Sequence, residues 1–279
     1  MKKLVFFPYI GGKSLIANTI IKLIPEHTVY VEPFGGSAKV LLNKPPSKIE
    51  IYNDADLRLA NLFYVVAFKF KEFEEKVSRL VYSRALYKKF LKDVRLKELK
   101  IEKLGDVDLA IKTYVVLYYS FNSNFKTQAL NVSYKQNKAV SFFNNLQRLE
   151  LIHNRLKNVV IEYLSYDKIL EKYLGRDDAF IYLDPPYFRL EHYYDVKFTI
   201  EDHKKMLDML KSAKAKWLLS GYDNELYNTE LKDFYRLEIP TFKPSYGITK
   251  NSKLDKRPQA IEILWANYDL YNLLNKVIK

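Results

Sequence analysis

Apolar and polar positions along the chain follow two alternating periods, and together they predict a mixed α/β fold. Short apolar runs at Thr28–Val31, Lys48–Tyr52, Val159–Tyr163, Ala179–Leu183 and Lys216–Ser220 read as strands. Helical stretches are expected at Ser14–Leu23, from Ser37 through Leu42, at Asp56–Val66 and at Ile200–Ala213, where Met206, Leu207 and Leu210 share one side. Strands alternating with helices predict a parallel sheet. Phe234–Ile239 and Ala260–Ala266 flank a lysine-rich loop and predict an antiparallel hairpin, with a helical C-terminal end.

Between the two alternating regions the pattern changes. Residues 68–104 read as helical and strongly basic, and Tyr118–Phe143 is polar and rich in aromatics. Segment 67–157 carries 19 Lys+Arg and 9 Asp+Glu, a net of +10 out of +13 for the whole chain. Most of the excess charge thus falls in one stretch, which predicts a separate basic module inserted into an α/β domain formed by 1–66 and 158–279.

The chain is 279 residues long and 48% hydrophobic, enough for a sizeable core in one large domain or two. Its positive charge points to a polyanionic partner, nucleic acid before a membrane surface. There is no cysteine, so disulfides, thiolate nucleophiles and cysteine-held metal centres are excluded. His27, His153, His192 and His203 show no close ligand spacing, and no metal is expected. No apolar run approaches the ~20 residues of a membrane span. The start, with its short apolar stretch interrupted by Pro8, does not suit a signal peptide, and the expected compartment is the cytoplasm.

Asp184-Pro185-Pro186-Tyr187 follows the strand Ala179–Leu183. Neither proline can continue the strand, because each lacks an N–H and fixes its own φ. A carboxylate, two carbonyls and an aromatic ring therefore collect at a strand's C-terminal edge, where open α/β sheets bind ligands. These groups suit a flat substrate with an exocyclic amino group. The plainer alternative is a loop stop with a packed tyrosine.

Further candidates lie at other strand ends. Glu32-Pro33-Phe34-Gly35-Gly36-Ser37 joins a strand to a helix, where glycines let backbone approach a ligand and a helix start offers free N–H groups. Asp54, about 20 residues beyond, is placed to accept ribose hydroxyls, and capping of a helix by Asp54 or Asp56 is the alternative. Asp167, after the strand at 159–163, is suited either to an adenine amino group or to starting a helix. Gly11-Gly12-Lys13-Ser14 is half of a phosphate-binding loop. The full pattern needs glycine at position 7, which is Phe7. Lys13 is better read as a partner for a ligand carboxylate.

Taken in order, Phe7-Pro8-Tyr9-Ile10-Gly11-Gly12-Lys13, Glu32–Ser37, Asp54, Tyr166-Asp167 and Asp184–Tyr187 resemble the Dam-type, class D12, N6-adenine DNA methyltransferases. The resemblance implies a Rossmann-like fold, S-adenosylmethionine as donor and DNA adenine as acceptor. It implies donor contacts by Tyr9, Lys13, Glu32, Phe34, Gly35, Gly36, Ser37, Asp54, Asp167 and Asp184. Catalysis falls to Asp184, Pro185 and Tyr187, with the target base flipped out of double-stranded DNA. It also implies that 67–157 reads the DNA. The expected DNA contacts are Arg79, Arg84, Lys88, Lys89, Lys92, Arg95, Asn122 and Lys126, with Lys250 and Lys253 in a second basic loop. A cognate restriction endonuclease and a monomeric state complete the expectation. The chain departs from the family pattern at Ile10, at Ala38 near a missing third glycine, and at Tyr119-Ser120-Phe121-Asn122, so GATC specificity does not carry over. N4-cytosine methylation and a catalytically inactive nucleic-acid-binding protein remain the alternatives at this point.

Overall fold

A computed structural model describes residues 3–9, 13, 15–95, 104–133, 136–191, 194–242 and 258–278. Seven strands form one sheet in the order β3-β2-β1-β4-β5-β7-β6. They are β1 (Val29–Glu32), β2 (Ile49–Asn53), β3 (Val160–Glu162), β4 (Ala179–Leu183), β5 (Lys216–Gly221), β6 (Tyr235–Phe242) and β7 (Gln259–Ala266). The first five are parallel, and β7 is antiparallel to both β5 and β6. The expected fold class is therefore the observed one.

β1 and β4 are buried at every position, which explains why they read as continuous apolar runs: helices cover both faces of the parallel strands. On one face pack α1 (Ala17–Lys22), α2 (Lys39–Asn43) and α3 (Leu57–Phe68). On the other lie α9 (Tyr166–Tyr173), α10 (Ile200–Lys211) and α11 (Glu225–Glu230). α12 (Leu270–Ile278) ends the described chain.

The basic segment holds α4 (Phe70–Ser78), α5 (Arg84–Asp93), α6 (Val107–Tyr119), α7 (Lys138–Leu146) and α8 (Leu149–Leu156). Within the described residues the helical expectation over 68–104 resolves into α4 and α5, with Ser83 capping α5 through the N–H of Leu86, and 96–103 fall outside them. These helices do not have a core of their own. Phe73, Tyr87, Tyr114 and Phe142 belong to the same apolar cluster as Phe63 of α3 and Tyr30 of β1. Among the described residues no helix is long and apolar enough to cross a membrane.

The chain order reverses between β1 and β4, so connections leave in opposite directions and a crevice opens at the strands' C-terminal ends. Every strand-end motif singled out in the sequence emerges along this edge.

Candidate active site

A cavity of 370 Å³ occupies this crevice, a size within the ordinary range for small-molecule sites. Tyr9, Lys13, Glu32, Phe34, Gly35, Gly36, Ser37, Asp54, Asp167 and Asp184 all line it, although they come from five separate stretches of chain. Pro186 lines it as well, whereas Pro185 and Tyr187 are not among its lining residues. Gly11, Gly12 and Ser14 fall outside the described residues, as do Lys250 and Lys253.

The turn after β1 is held from within the protein. Asn53, fully buried at the end of β2, donates to the carbonyls of Pro33 (2.9 Å) and Leu164 (3.0 Å) and accepts the Leu164 N–H (2.9 Å). One side chain thus ties the loops after β1, β2 and β3 together. Gly35 has a reason other than ligand approach, because a Cβ there would meet the Tyr52 ring at 2.2 Å. Gly36 has φ +50°, a left-handed conformation that favours glycine, and the Tyr9 ring lies over it. The Tyr52 hydroxyl fixes the turn by donating to the Gly36 carbonyl at 2.9 Å.

The two aspartates after β2 divide their work. Asp56 caps α3 through the Arg58 N–H at 2.9 Å. Asp54 accepts the Gly36 N–H on Oδ2 and the Asp56 N–H on Oδ1, both at 2.8 Å. Burial, reinforced by the charge of Asp56, pushes its carboxyl up to about 7. Glu32 accepts the Tyr30 hydroxyl (2.6 Å) and the Leu41 N–H at the start of α2 (2.8 Å). Burial raises it also to about 7.

An aromatic wall closes one end of the cavity. Phe34 stacks on Tyr166 with ring centroids 5.7 Å apart, and Phe198 meets both rings edge-on. Asp167 sits beside them near the start of α9. Its hydrogen bond to Lys205 (2.5 Å) holds it down at about 2.

At the other end, Asp184 accepts the Lys13 ammonium and the Ser220 hydroxyl (3.2 Å), both on Oδ1. Ser220 is held in turn by the Tyr182 hydroxyl at 3.1 Å. Among the described residues these contacts leave Oδ2 as the oxygen open to an incoming donor. Lys13 is buried, which disfavours its charge, yet Asp184 and Glu262 keep it above the ordinary lysine range. Tyr187 is also buried. Its hydroxyl accepts from Lys13 Nζ and donates to Glu262 Oε1, each at 2.5 Å, and its ring packs edge-on against Tyr222.

Several lining or supporting residues carried no sequence signal. Tyr194, Asp195, Val196 and Lys197 line the cavity from the loop after β4. That loop is fastened by Arg58, which is 1% exposed. Arg58 donates to Asp56 at 2.5 Å and Asp195 at 2.8 Å and lies over the Phe125 ring at 3.5 Å. Lys126 donates to the Tyr194 carbonyl at 2.7 Å, so this expected DNA contact also touches the same loop. Glu262 is the one charged residue of β7 and contacts Lys13 and Tyr187.

Of the other expected DNA contacts, Arg84, Lys88, Lys89 and Lys92 are exposed on α5 and Arg95 just beyond it. Arg84, Lys88 and Lys92 recur every four residues and form a stripe, with Tyr87, Phe90 and Leu91 buried on the other side. Arg79 pairs with Glu75 on the surface at 2.7 Å. Asn122 is exposed in the loop after α6.

Residues 9–244 match the model of the D12 class N6 adenine-specific DNA methyltransferase family. The chain is 26% identical to the type II methyltransferase M1.LlaDCHI of Lactococcus lactis subsp. cremoris, over 94% of this chain and 95% of that protein. It is 25% identical to the DNA adenine methylase of Vibrio cholerae, over 90% of this chain and 91% of that protein. Type II methyltransferase M.CviBI of Paramecium bursaria Chlorella virus NC1A is 26% identical over 82% of this chain and 90% of its own length.

Proposed function

Since the chain belongs to the D12 class of N6 adenine-specific DNA methyltransferases, we propose that it takes S-adenosylmethionine as donor and methylates adenine N6 at one sequence of duplex DNA, after flipping the base. The observation that carries this reading is the shared cavity lined by the strand-end motifs, with Asp184 and an aromatic wall both in its lining.

The lining suits the donor's chemistry. Phe34, Tyr166 and Phe198 offer flat apolar surface to an adenine ring, with Asp167 as acceptor for its amino group. Asp54 offers carboxylate oxygens to ribose hydroxyls. Glu32 to Ser37 wrap the amino-acid portion. When bound, the donor supplies an electrophilic methyl group on a positively charged sulfur.

The acceptor's difficulty is that the N6 lone pair is delocalised into the base. Asp184 Oδ2 and the Pro185 carbonyl would each accept one N6–H, drawing the nitrogen toward a pyramidal shape with its lone pair aimed into the cavity. The protein's contribution is positioning and fixed electrostatics, with no covalent intermediate on a side chain. The N6 proton leaves after transfer, so Asp184 need not be a strong base.

A base stacked in a duplex cannot reach this crevice, and flipping it costs a few kcal/mol. Stacking on Tyr187 would return about 1–3 kcal/mol. Segment 67–157 is read as the DNA-recognition part, its α5 stripe engaging phosphates. The test is incubation of the protein with tritiated S-adenosylmethionine and mixed-sequence duplex DNA, followed by nucleoside separation. The expected product is N6-methyladenine. Label in N4-methylcytosine, or none in DNA, overturns the reading.

A further inference from the structure

Glu262 lies outside every strand-end motif, on the antiparallel strand β7, yet contacts Lys13 and Tyr187 beside Asp184. Its neighbours Ile263, Leu264 and Trp265 are buried and apolar. A carboxylate buried among them is costly unless it is matched by a partner. Its side chain is 5% exposed. Oε1 accepts the Tyr187 hydroxyl at 2.5 Å and lies 3.6 Å from Lys13 Nζ. Lys13 also contacts Asp184 and donates to the Tyr187 hydroxyl, with its ammonium 4.7 Å from the centre of that ring. Asp184, Lys13, Tyr187 and Glu262 thus form a continuous chain, and one ammonium faces two carboxylates.

We propose that Glu262 is a positioning residue for methyl transfer: it shares the Lys13 charge and fixes the Tyr187 ring through its hydroxyl, so that Asp184 does not bear that charge alone as it accepts the amino group. This rests on the reading of Asp184 given above. Without Glu262, Asp184 bears more of the Lys13 charge, and a more strongly neutralised acceptor competes less well for N6–H. Without the hydroxyl link, the ring walling the base site loses its fixed orientation. Glu262 touches neither base nor donor in this scheme and acts through two residues that do.

The experiment compares wild type, Asp184→Ala, Glu262→Gln, Tyr187→Phe and the Glu262→Gln/Tyr187→Phe pair. The readouts are single-turnover methyl transfer, donor affinity by calorimetry and thermal midpoint. Glu262→Gln is expected to slow transfer by about tenfold to a hundredfold, the scale of misplaced reacting groups. Donor affinity should change by less than about threefold. The double variant should lose less than the product of the two single losses, the signature of residues acting through one contact. A folded Glu262→Gln protein with the wild-type rate overturns the proposal. So do losses that multiply and simply track the thermal midpoint. Should Glu262→Gln not fold, Tyr187→Phe retains the carboxylate and cuts the link, and an unchanged rate there overturns it equally. Failure of the wild type to methylate adenine would instead refute the functional reading itself.

Discussion

Asp54 Oδ2 accepts the backbone N–H of Gly36 at 2.8 Å, which ties the loop after β2 to the turn after β1 within the lining of the cavity. A carboxylate with this role is also the one assigned to the donor's ribose, and its titration makes the assignment measurable. Burial raises it to about 7, so in the folded protein it is protonated below that pH and ionised above. Ribose hydroxyls need an acceptor. Donor affinity is therefore expected to rise as pH climbs through about 7, and Asp54→Asn should flatten that rise and weaken binding. Calorimetry across the range checks both. An equal pH dependence in the variant contradicts the ribose assignment.

The same linkage applies to stability. Glu32 is raised from 4.5 to about 7 by burial. Between those values the folded state holds a proton the unfolded chain has released, so stability falls as pH rises across that window. Glu32→Gln removes this titration while keeping an oxygen for Tyr30 and the Leu41 N–H. The expected outcome is a thermal midpoint that declines less from about pH 5 to about pH 8 than in wild type. Parallel declines would contradict it.

Gly35→Ala places a Cβ 2.2 Å from the Tyr52 ring. Tyr52 is fully buried and cannot swing aside freely. Overpacking of this kind costs about 1–3 kcal/mol. Denaturant unfolding should show that loss, accompanied by weaker donor binding because the turn lines the cavity.

Much of this architecture is legible in the residues themselves. β4 is an unbroken apolar run ended by two prolines, and both signals are local. Asp54 and Asp56 each suit a cap or a ligand, and only the register of α3 decides that Asp56 caps. Nothing in the sequence marks Arg58, because its partners Asp195 and Phe125 are far away along the chain. Gly35 reads as ligand-facing until the Tyr52 ring appears against it. Glu262 is hidden for a similar reason: its partners Lys13 and Tyr187 are far away in sequence. Of the helix expected over Ser14–Leu23, α1 covers Ala17–Lys22, a short helix built largely on packing of Ala17 and Ile20, with Ser14 outside the described residues.

The exposed cations of α5 predict a salt-dependent interaction. Lys88→Glu with Lys92→Glu should weaken duplex binding uniformly across sequences and reduce the slope of log affinity against log salt by about 1 for each phosphate no longer neutralised. Donor affinity should be unaffected, as neither residue lines the cavity. Fluorescence anisotropy at several salt concentrations checks this, and an unchanged slope would remove α5 from the DNA interface.

Asp184 is the acceptor on which methyl transfer turns, and Asp184→Ala with paired binding and transfer assays isolates its role. Duplex affinity should stay within about threefold of wild type, while formation of N6-methyladenine falls by at least about a thousandfold, beyond the scale of removing a single oxyanion-type donor. Near-normal formation of N6-methyladenine by the folded variant would contradict the account.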